Sequence, residues 1–429
     1  MSESRLQAVL TRLLQGGLAN VGLRGATLAL RFVLGFYIIS FLGLKASGIY
    51  GLSIGAIGIV PAALGWGFNY FLAREVVGLT PDAAAPLVRD RLRVTLLSLA
   101  AATALLAVVW LARGLPITPT YLLVLALLWL ETIALDVYMP LIGLELAWQA
   151  NLVVFLRSAA WVPVVVGLGL IRPVWRTLDT VLSGWIVGHL LSLVLLYAML
   201  RRWPIVEGLR AKGEPLSVLA RLRRSWYIYL SDLGLVGLSY LDRFIVTFVL
   251  GLAATGVYSF YWSITFALQT LVATAVVQVA LPRLLRAFRA GPGEFRHALG
   301  AEMAKTLLFS GALAVMISAA VELIFLVSPR RFPEDHALLL LLLAAATARS
   351  CAELLNVAIA SSGRDRTYAV TNVLGIGLTV GFNIVLLRAI GLPGAALGSL
   401  LTALVLGSIR FAYIRRWLRV RQPGPSAAE

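Results

Sequence analysis

Twelve long apolar stretches are the feature of this sequence that most restricts its fold. About 20 consecutive apolar residues form a helix that crosses the hydrocarbon core of a bilayer. Only 13% of the 429 residues are charged, against roughly 25% in soluble domains. The sequence therefore predicts an all-α polytopic membrane protein with twelve transmembrane helices. The predicted spans are residues 18–43, 47–72, 92–112, 120–144, 149–171, 179–200, 226–250, 254–281, 302–328, 336–361, 367–390 and 392–414.

Two long polar connections, residues 201–225 and 282–301, separate groups of predicted spans. The first leaves six spans on each side, so we expect two six-helix lobes. The predicted parts are an N-terminal lobe at 1–205, an inter-lobe linker at 206–225, a C-terminal lobe at 226–416 and a tail at 417–429.

The basic residues predict the orientation of the chain in the membrane. With the N-terminus in the cytoplasm, 24 of the 37 Lys and Arg residues lie on the cytoplasmic side and seven lie outside. The positive-inside rule then places both termini and the linker in the cytoplasm. The net charge of +17 is explained by this orientation, so we expect no nucleic-acid partner. The N-terminus lacks the pattern of a removable signal peptide, and we expect the first helix to be retained.

An internal repeat relates the two halves. LGLKASGIYG from Leu42 to Gly51 and LGLAATGVYS from Leu250 to Ser259 are identical at six of ten positions. Both segments fall at the outer turn between the first two helices of their half. Six helices per half bring both halves into the membrane from the same side, which predicts a parallel repeat about the membrane normal. This architecture is typical of transporters with a central cavity.

The sequence offers little support for metal or enzyme chemistry. It has one cysteine, Cys351, and three separated histidines, so we expect neither a metal site nor a disulfide framework. It contains no phosphate-binding GxxxxGK[ST], no HExxH and no GxSxG. We therefore expect no cofactor and no enzymatic activity.

Ionisable residues inside predicted spans are the main functional candidates, because such residues usually face a cavity or a partner. In the first span, Asn20, Arg24 and Arg31 follow one helical stripe. Arg31 lies near mid-depth, which favours a role in a cavity. Arg24 lies near the cytoplasmic mouth, where snorkelling to the interface explains it equally well.

The seventh span carries Asp232, Asp242 and Arg243. Asp232 and Arg243 are eleven residues apart and share a helix face, and Arg243 is again deep. Asp242 points in a different direction from Arg243, so one of them can line a cavity while the other pairs with a neighbouring helix.

The fourth span contains Glu131 and Asp136 at mid-membrane without a basic residue on the same helix. They need either protonation, which would make them proton-coupling candidates, or a partner such as Arg31, Arg157 or Arg243. A structural ion pair is the favoured interpretation. Arg157 in the fifth span is either an interfacial anchor or part of the cavity wall.

Arginines on lobe-lining helices predict an anionic substrate, because guanidinium groups bind phosphate bidentately in a low-dielectric space. A pyrophosphate held by Arg24, Arg31 and Arg243 fits this chemistry. The possible cavity or ion-coupling residues are Asn20, Glu131, Asp136, Arg157, Asp232 and Asp242.

Four segments carry a resemblance to a known family: LGLKASGIYG at the end of the first helix, GFNYFLAREV at Gly67–Val76, LDRF at Leu241–Phe244 and QVALPRL at Gln278–Leu284. In combination they resemble the polysaccharide transporter branch of the multidrug/oligosaccharidyl-lipid/polysaccharide exporter superfamily, which includes O-antigen-type flippases. The resemblance implies two six-helix lobes in a V shape and a place in the bacterial cytoplasmic (inner) membrane. It also implies movement of undecaprenyl-pyrophosphate-linked oligosaccharides to the outer leaflet by alternating access, for surface polysaccharide biosynthesis, and a monomer.

Two alternatives stay open at this point. Multidrug and toxin cation antiporters of the same superfamily also have twelve helices, although those with a cation site typically carry an acidic residue in the first helix. A non-transporting membrane scaffold in a glycan assembly complex is the second alternative. Contact of the linker with membrane lipid, or with a glycan polymerase or ligase complex, also stays open.

Overall fold

The computed structural model describes residues 19–66, 68, 72, 75–144, 146–201, 218–327 and 334–420, and the regular elements in these residues are helical. We number twelve helices. They are α1 Ala19–Tyr37, α2 Leu44–Leu64, α3 Pro81–Ala112, α4 Pro119–Gly143, α5 at 147–171, α6 Leu178–Leu200, α7 at 218–250, α8 at 252–290, α9 Pro292–Val327, α10 His336–Ser361, α11 Asp365–Ile390 and α12 Leu392–Val420. Single π-helical turns follow α1 at Ile38–Leu42 and interrupt α5 at Leu156–Ala160 and α8 at Ala273–Val277.

Eleven helices in the described residues are long and apolar enough to cross a membrane, and one of them covers Trp226–Ala290. That segment has 65 residues and would be roughly 100 Å long if straight, about three times the thickness of the hydrocarbon core. Gly251 breaks it, with φ of 82° and ψ of 178°. Glycine adopts such a conformation without a Cβ clash. The break yields α7 and α8, so the predicted all-α architecture of twelve helices is confirmed.

Three predicted boundaries are wrong, because apolar stretches mark the residues that lie inside a membrane and do not mark where a helix begins or ends. The third helix begins at Pro81 instead of near 92, since Thr80 is extended and proline is favoured at the first helical position. The predicted connection 282–301 is helical on both sides of Gly291, whose φ is 141°. The second helix ends at Leu64 instead of near 72, and Trp66 follows with a φ of 50°.

The chain forms two compact units. The N-terminal unit combines the described residues up to Leu42 with Ala56–Tyr229, and the C-terminal unit combines Gly43–Gly55 with the described residues from Leu230 onward. The beginning of α2 thus packs with the second half of the chain. Much of the predicted linker (206–217), the end of the tail (421–429) and most of the Gly67–Val76 motif lie outside the described residues.

The two copies of the repeat pack against each other inside the C-terminal unit. A Cβ on Gly48 would lie 3.3 Å from the nitrogen of Gly256, and a Cβ on Gly256 would lie 3.1 Å from the nitrogen of Gly48. Each would also overlap a carbonyl oxygen, of Leu252 and of Leu44 respectively. Ser47 donates a hydrogen bond to the Gly256 carbonyl at 3.1 Å. Equivalent residues therefore make reciprocal contacts, and small residues permit the close backbone approach.

The same symmetry holds at the turns that precede these segments. Gly43 and Gly251 occupy equivalent repeat positions, and their φ angles are 88° and 82°. Both positions lie in the left-handed region that favours glycine. The sequence repeat is thus also a repeat of backbone conformation.

Candidate functional site

The first helix presents both of its arginines on the exposed surface of the N-terminal unit. Arg24 and Arg31 are exposed side chains on α1, seven residues and so about 10 Å apart along the helix. Asn20 lies in α1, but its side chain is outside the described part of the structure. The candidate membrane span that overlaps α1 is Gly22–Leu42. Arg31 therefore lies near the middle of a span and Arg24 near its start.

Arg31 is held by a backbone contact. Its Nε donates a long hydrogen bond of 3.4 Å to the carbonyl oxygen of Ser158, which lies in the π-helical turn of α5. Such turns widen a helix and are frequent at functional sites. Among the described residues, no carboxylate forms an ion pair with Arg31. Its positive charge is therefore available to a ligand.

Glu131 is neutralised inside the N-terminal unit. Arg157 Nη1 on α5 pairs with Glu131 Oε1 on α4, and His189 Nε2 on α6 lies 3.0 Å from Glu131 Oε2. Arg157 is 6% exposed and His189 is 1% exposed. Three helices thus meet at one carboxylate. Of the partners predicted for Glu131, Arg157 is the one found, while His189 was not anticipated.

Asp136 is paired with an arginine that the sequence placed in a cytoplasmic loop. Arg91 on α3 donates from Nε to Asp136 Oδ1 at 3.1 Å and from Nη1 to the Gly65 carbonyl at 2.9 Å. Thr95 donates its hydroxyl hydrogen to Asp136 Oδ2. Asp136 is fully buried and Arg91 is 3% exposed. The sequence signal for this pairing was the spacing of Arg91, Thr95 and Leu99. They are four residues apart and so share one face of α3, where all three are buried.

Arg243 is enclosed in the core of the C-terminal unit. The side chain is 1% exposed, and its guanidinium carbon lies 3.5 Å from the centroid of the Trp262 ring and 5.1 Å from that of Tyr240. The neighbouring Asp242 accepts hydrogen bonds from the Tyr258 hydroxyl at 2.6 Å and from the Arg243 backbone nitrogen at 2.9 Å. None of the three guanidinium nitrogens finds a hydrogen-bond acceptor among the described residues.

A polar cavity of about 330 Å³ lies beside this cluster in the C-terminal unit. Asp242, Arg349, Glu353 and Arg410 contribute to its wall. Arg349 donates to the Leu238 carbonyl at 2.6 Å, and Arg410 donates to the Ala352 carbonyl at 2.8 Å. These arginines tie neighbouring helices together through backbone acceptors. The wall carries charges of both signs.

Asp232 is the remaining candidate and lies on α7 in the C-terminal unit, where it is half-buried. It forms no ion pair with any residue that the structure describes. No group of three or more His, Cys, Asp or Glu side chains within those residues is placed to hold a metal ion.

Apart from Asn20 and Asp232, the candidates fall into three groups by their surroundings. Arg24 and Arg31 are exposed on α1. Glu131 with Arg157, and Asp136 with Arg91, are internal ion pairs of the N-terminal unit. Asp242 and Arg243 are buried in the C-terminal unit. The prediction of a pyrophosphate site at Arg24, Arg31 and Arg243 stays a prediction.

The fold is similar to solved structures of MATE family transporters. The inward-facing conformation of a multidrug resistance MATE family transporter of the MOP superfamily matches with a TM-score of 0.73 at 16% identity, covering 92% of this chain and 95% of that one. MATE in the straight conformation matches with a TM-score of 0.61 at 15% identity, covering 96% and 98%. MATE in the bent conformation matches with a TM-score of 0.56 at 16% identity, covering 96% and 97%.

No protein-family profile matches the chain, and no curated protein matches it in sequence. The class that the helices define is a multi-pass membrane protein. Within that class, the chain has the fold of MATE transporters over nearly its whole length.

Proposed function

We propose that this protein is a flippase that moves a polyprenyl-pyrophosphate-linked oligosaccharide, with undecaprenyl as the expected prenyl chain, between leaflets by alternating access. The observation that carries the proposal is Arg31, an exposed guanidinium near mid-span without an acidic partner among the described residues. A charged side chain at the centre of a spanning helix costs about 2.5–3.5 kcal/mol even on the lenient insertion scale. An aqueous cavity with an anionic ligand offsets this cost.

The arrangement on α1 suits a diphosphate. Arginine presents a planar set of donors that matches phosphate oxygens bidentately. Arg24 and Arg31 lie on one stripe about 10 Å apart, so a pyrophosphate can pass from the mouth of the span to its middle. Asn20 extends this stripe by one turn. Arg243 joins the proposed site only in a conformation that exposes it, because its side chain is 1% exposed here.

The pairing of the fourth-helix acids supports an anionic over a cationic substrate. Glu131 and Asp136 are engaged by Arg157 and Arg91 inside the N-terminal unit. A carboxylate in such a pair is not available to an organic cation without breaking a buried ion pair, at a cost of about 3–5 kcal/mol. We therefore assign both carboxylates a structural role.

The membrane potential would assist the proposed transport from the inner to the outer leaflet. A potential that is negative inside favours outward movement of an anion by about 2.3 kcal/mol per charge per 100 mV. It also favours the inward return of an empty cationic site. The proposal places the protein in a bacterial cytoplasmic membrane with both termini in the cytoplasm. It acts there as a monomer beside a glycan polymerase or ligase complex.

A cation antiporter is the second candidate, and one structural feature favours it. Asp232 is half-buried on α7 and has no ion-pair partner among the described residues, as a cation site would require. In addition, one of the structures with this fold is described as a multidrug resistance transporter.

One experiment separates these functions. Purified protein is reconstituted into proteoliposomes, and a fluorescent polyprenyl-pyrophosphate oligosaccharide and a cationic dye are assayed in parallel. We expect glycolipid translocation without dye uptake. Dye uptake without glycolipid movement would assign drug export. If neither substrate moves but the protein still binds glycan-assembly partners, it is a scaffold and the flippase proposal is wrong.

A further inference from the structure

An open apolar groove of about 900 Å³ runs along the C-terminal unit between α9, α10 and α12. It extends from Leu307 to Ser318 on α9, from Leu340 to Leu355 on α10, and from Leu400 to Phe411 on α12. At 1.5 Å per residue these stretches are about 16–23 Å long. The groove therefore covers more than half of the thickness of the hydrocarbon core.

Small side chains create the groove. The α10 wall includes Ala344, Ala348 and Cys351. At its floor, α10 and α12 approach closely, since a Cβ on Gly407 would lie 3.6 Å from the Cβ of Ala352. No large side chain fills the groove from these positions, which leaves a volume of about 900 Å³ for a hydrocarbon chain.

The groove contains few polar groups. Ser318, Thr347 and Ser408 are the hydroxyl residues of its lining. Ser408 donates its hydroxyl hydrogen to the Leu404 carbonyl at 2.8 Å, so it is satisfied within its own helix. An apolar channel on a membrane-spanning unit is suited to an acyl chain.

Two basic residues lie beyond one end of the groove. Arg415 lies four residues beyond Phe411 on the same face of α12 and is exposed. On α9, Arg296 lies eleven residues before the lining residue Leu307 and on the same helix face. Arg296 is also exposed. This end of the groove is complementary to a negatively charged headgroup.

Nearby carboxylates do not cancel this charge. Glu302 is engaged by Arg283 at 2.9 Å and by Lys305 at 2.7 Å. Glu294 lies thirteen residues before Leu307, which places it on the opposite face of α9.

We propose that this groove binds an anionic phospholipid of the surrounding bilayer, with one acyl chain along Ala344, Ala348 and Cys351 and the phosphate at Arg415. Basic pockets between spanning helices recognise anionic headgroups. The net negative charge of the headgroup distinguishes an anionic phospholipid from a zwitterionic phospholipid with the same acyl chains. The lining of the groove includes none of the proposed transport arginines, and the proposal does not depend on the transported substrate.

The test is native mass spectrometry of the full-length protein with added phosphatidylglycerol or phosphatidylcholine of the same acyl composition. We expect retention of one phosphatidylglycerol with at least fivefold preference over phosphatidylcholine. Arg415→Ala should remove this preference. The matched control is Arg416→Ala, because Arg416 is equally basic and exposed but points about 100° away around the helix.

A second pair of variants tests the acyl chain. Ala344→Phe places a ring in the groove and should abolish retention, whereas Ala312→Phe replaces an exposed alanine on α9 outside the groove and should not. All variants are first checked for a monodisperse elution profile. Cys351, the only cysteine of the chain, gives an independent readout. Its alkylation by N-ethylmaleimide should be slower in phosphatidylglycerol nanodiscs than in phosphatidylcholine nanodiscs.

Four outcomes would overturn the proposal. Equal retention of both lipids would remove the headgroup site, and unchanged retention in Ala344→Phe would place the lipid elsewhere. Displacement of phosphatidylglycerol by an equimolar polyprenyl phosphate would assign the groove to a prenyl lipid instead. If the native mass spectrum of the unmodified protein contains a dimer and that of Ala344→Phe does not, the groove is an interface between two copies of the chain.

Discussion

The guanidinium carbon of Arg243 lies 3.5 Å from the centroid of the Trp262 ring in the core of the C-terminal unit. The two residues belong to neighbouring helices, α7 and α8, on either side of the break at Gly251. A cation over an aromatic face is attracted by the ring quadrupole, by about 2 kcal/mol or more when both groups are desolvated. This contact compensates in part for a buried cation that has no hydrogen-bond acceptor among the described residues.

The first prediction concerns this contact. Trp262→Leu should lower the free energy of unfolding by about 3 kcal/mol, because it removes both the cation–π attraction and buried aromatic surface. In a double-mutant cycle with Arg243→Leu, the two changes should couple by about 1–2 kcal/mol. Trp226→Leu is the control, since Trp226 is 47% exposed and should change stability by less than about 0.5 kcal/mol. Strict additivity of the two core variants would contradict the prediction.

The second prediction concerns the carboxylate shared by Arg157 and His189. Glu131→Gln leaves Arg157 as a buried charge without its partner, so the free energy of unfolding should fall by about 3–5 kcal/mol. Glu322→Gln changes an exposed contact with His336, in which the two side chains are 48% and 54% exposed, and should cost less than about 1 kcal/mol. Denaturation in mixed micelles measures both values. A fully stable Glu131→Gln variant that loses ion-dependent transport would show that Glu131 is an ion-coupling residue.

The third prediction concerns the reciprocal glycines of the repeat. Gly48→Ala and Gly256→Ala should each destabilise the protein by about 1–3 kcal/mol through overpacking, because each new methyl group meets a backbone carbonyl. The losses should be similar in size, since the two positions are equivalent. Gly377→Ala is the control: Gly377 lies in α11, and an added Cβ would meet no atom within 4 Å apart from the adjacent residues and backbone of its own helix, so alanine there should be neutral or stabilising by up to about 1 kcal/mol. A loss at only one of the two repeat positions would argue against symmetric packing.

Much of the fold could be predicted from the sequence because each helix leaves a local signal. Apolar length predicted twelve spans, and the two similar segments Leu42–Gly51 and Leu250–Ser259 predicted a repeat of the two halves, although the repeat did not predict that these segments pack together. Arg157 was among the predicted partners of Glu131, since a buried carboxylate requires a cation.

Other features depend on contacts between residues that are distant in the sequence or on helix ends that hydropathy does not mark. Arg91 was assigned to a loop because α3 extends eleven residues before the apolar window begins. The enclosure of Arg243 by Trp262 follows from the packing of α7 on α8, and no pattern within either helix reveals it. The proposed pyrophosphate site involves contacts with a ligand, so it is tested by a transport measurement.

The most direct measurement is leaflet translocation of a fluorescent polyprenyl-pyrophosphate-linked oligosaccharide in proteoliposomes, with Arg31→Ala compared with the unmodified protein at matched incorporation. Arg113→Ala is the control, because Arg113 is an exposed arginine at the end of α3. We expect Arg31→Ala to reduce the initial rate by about 10- to 100-fold, since hydrogen bonds to a charged group contribute about 1.5–3 kcal/mol each, while Arg113→Ala leaves the rate unchanged. Wild-type translocation that persists at an equal rate in Arg31→Ala would contradict the proposed pyrophosphate site on α1.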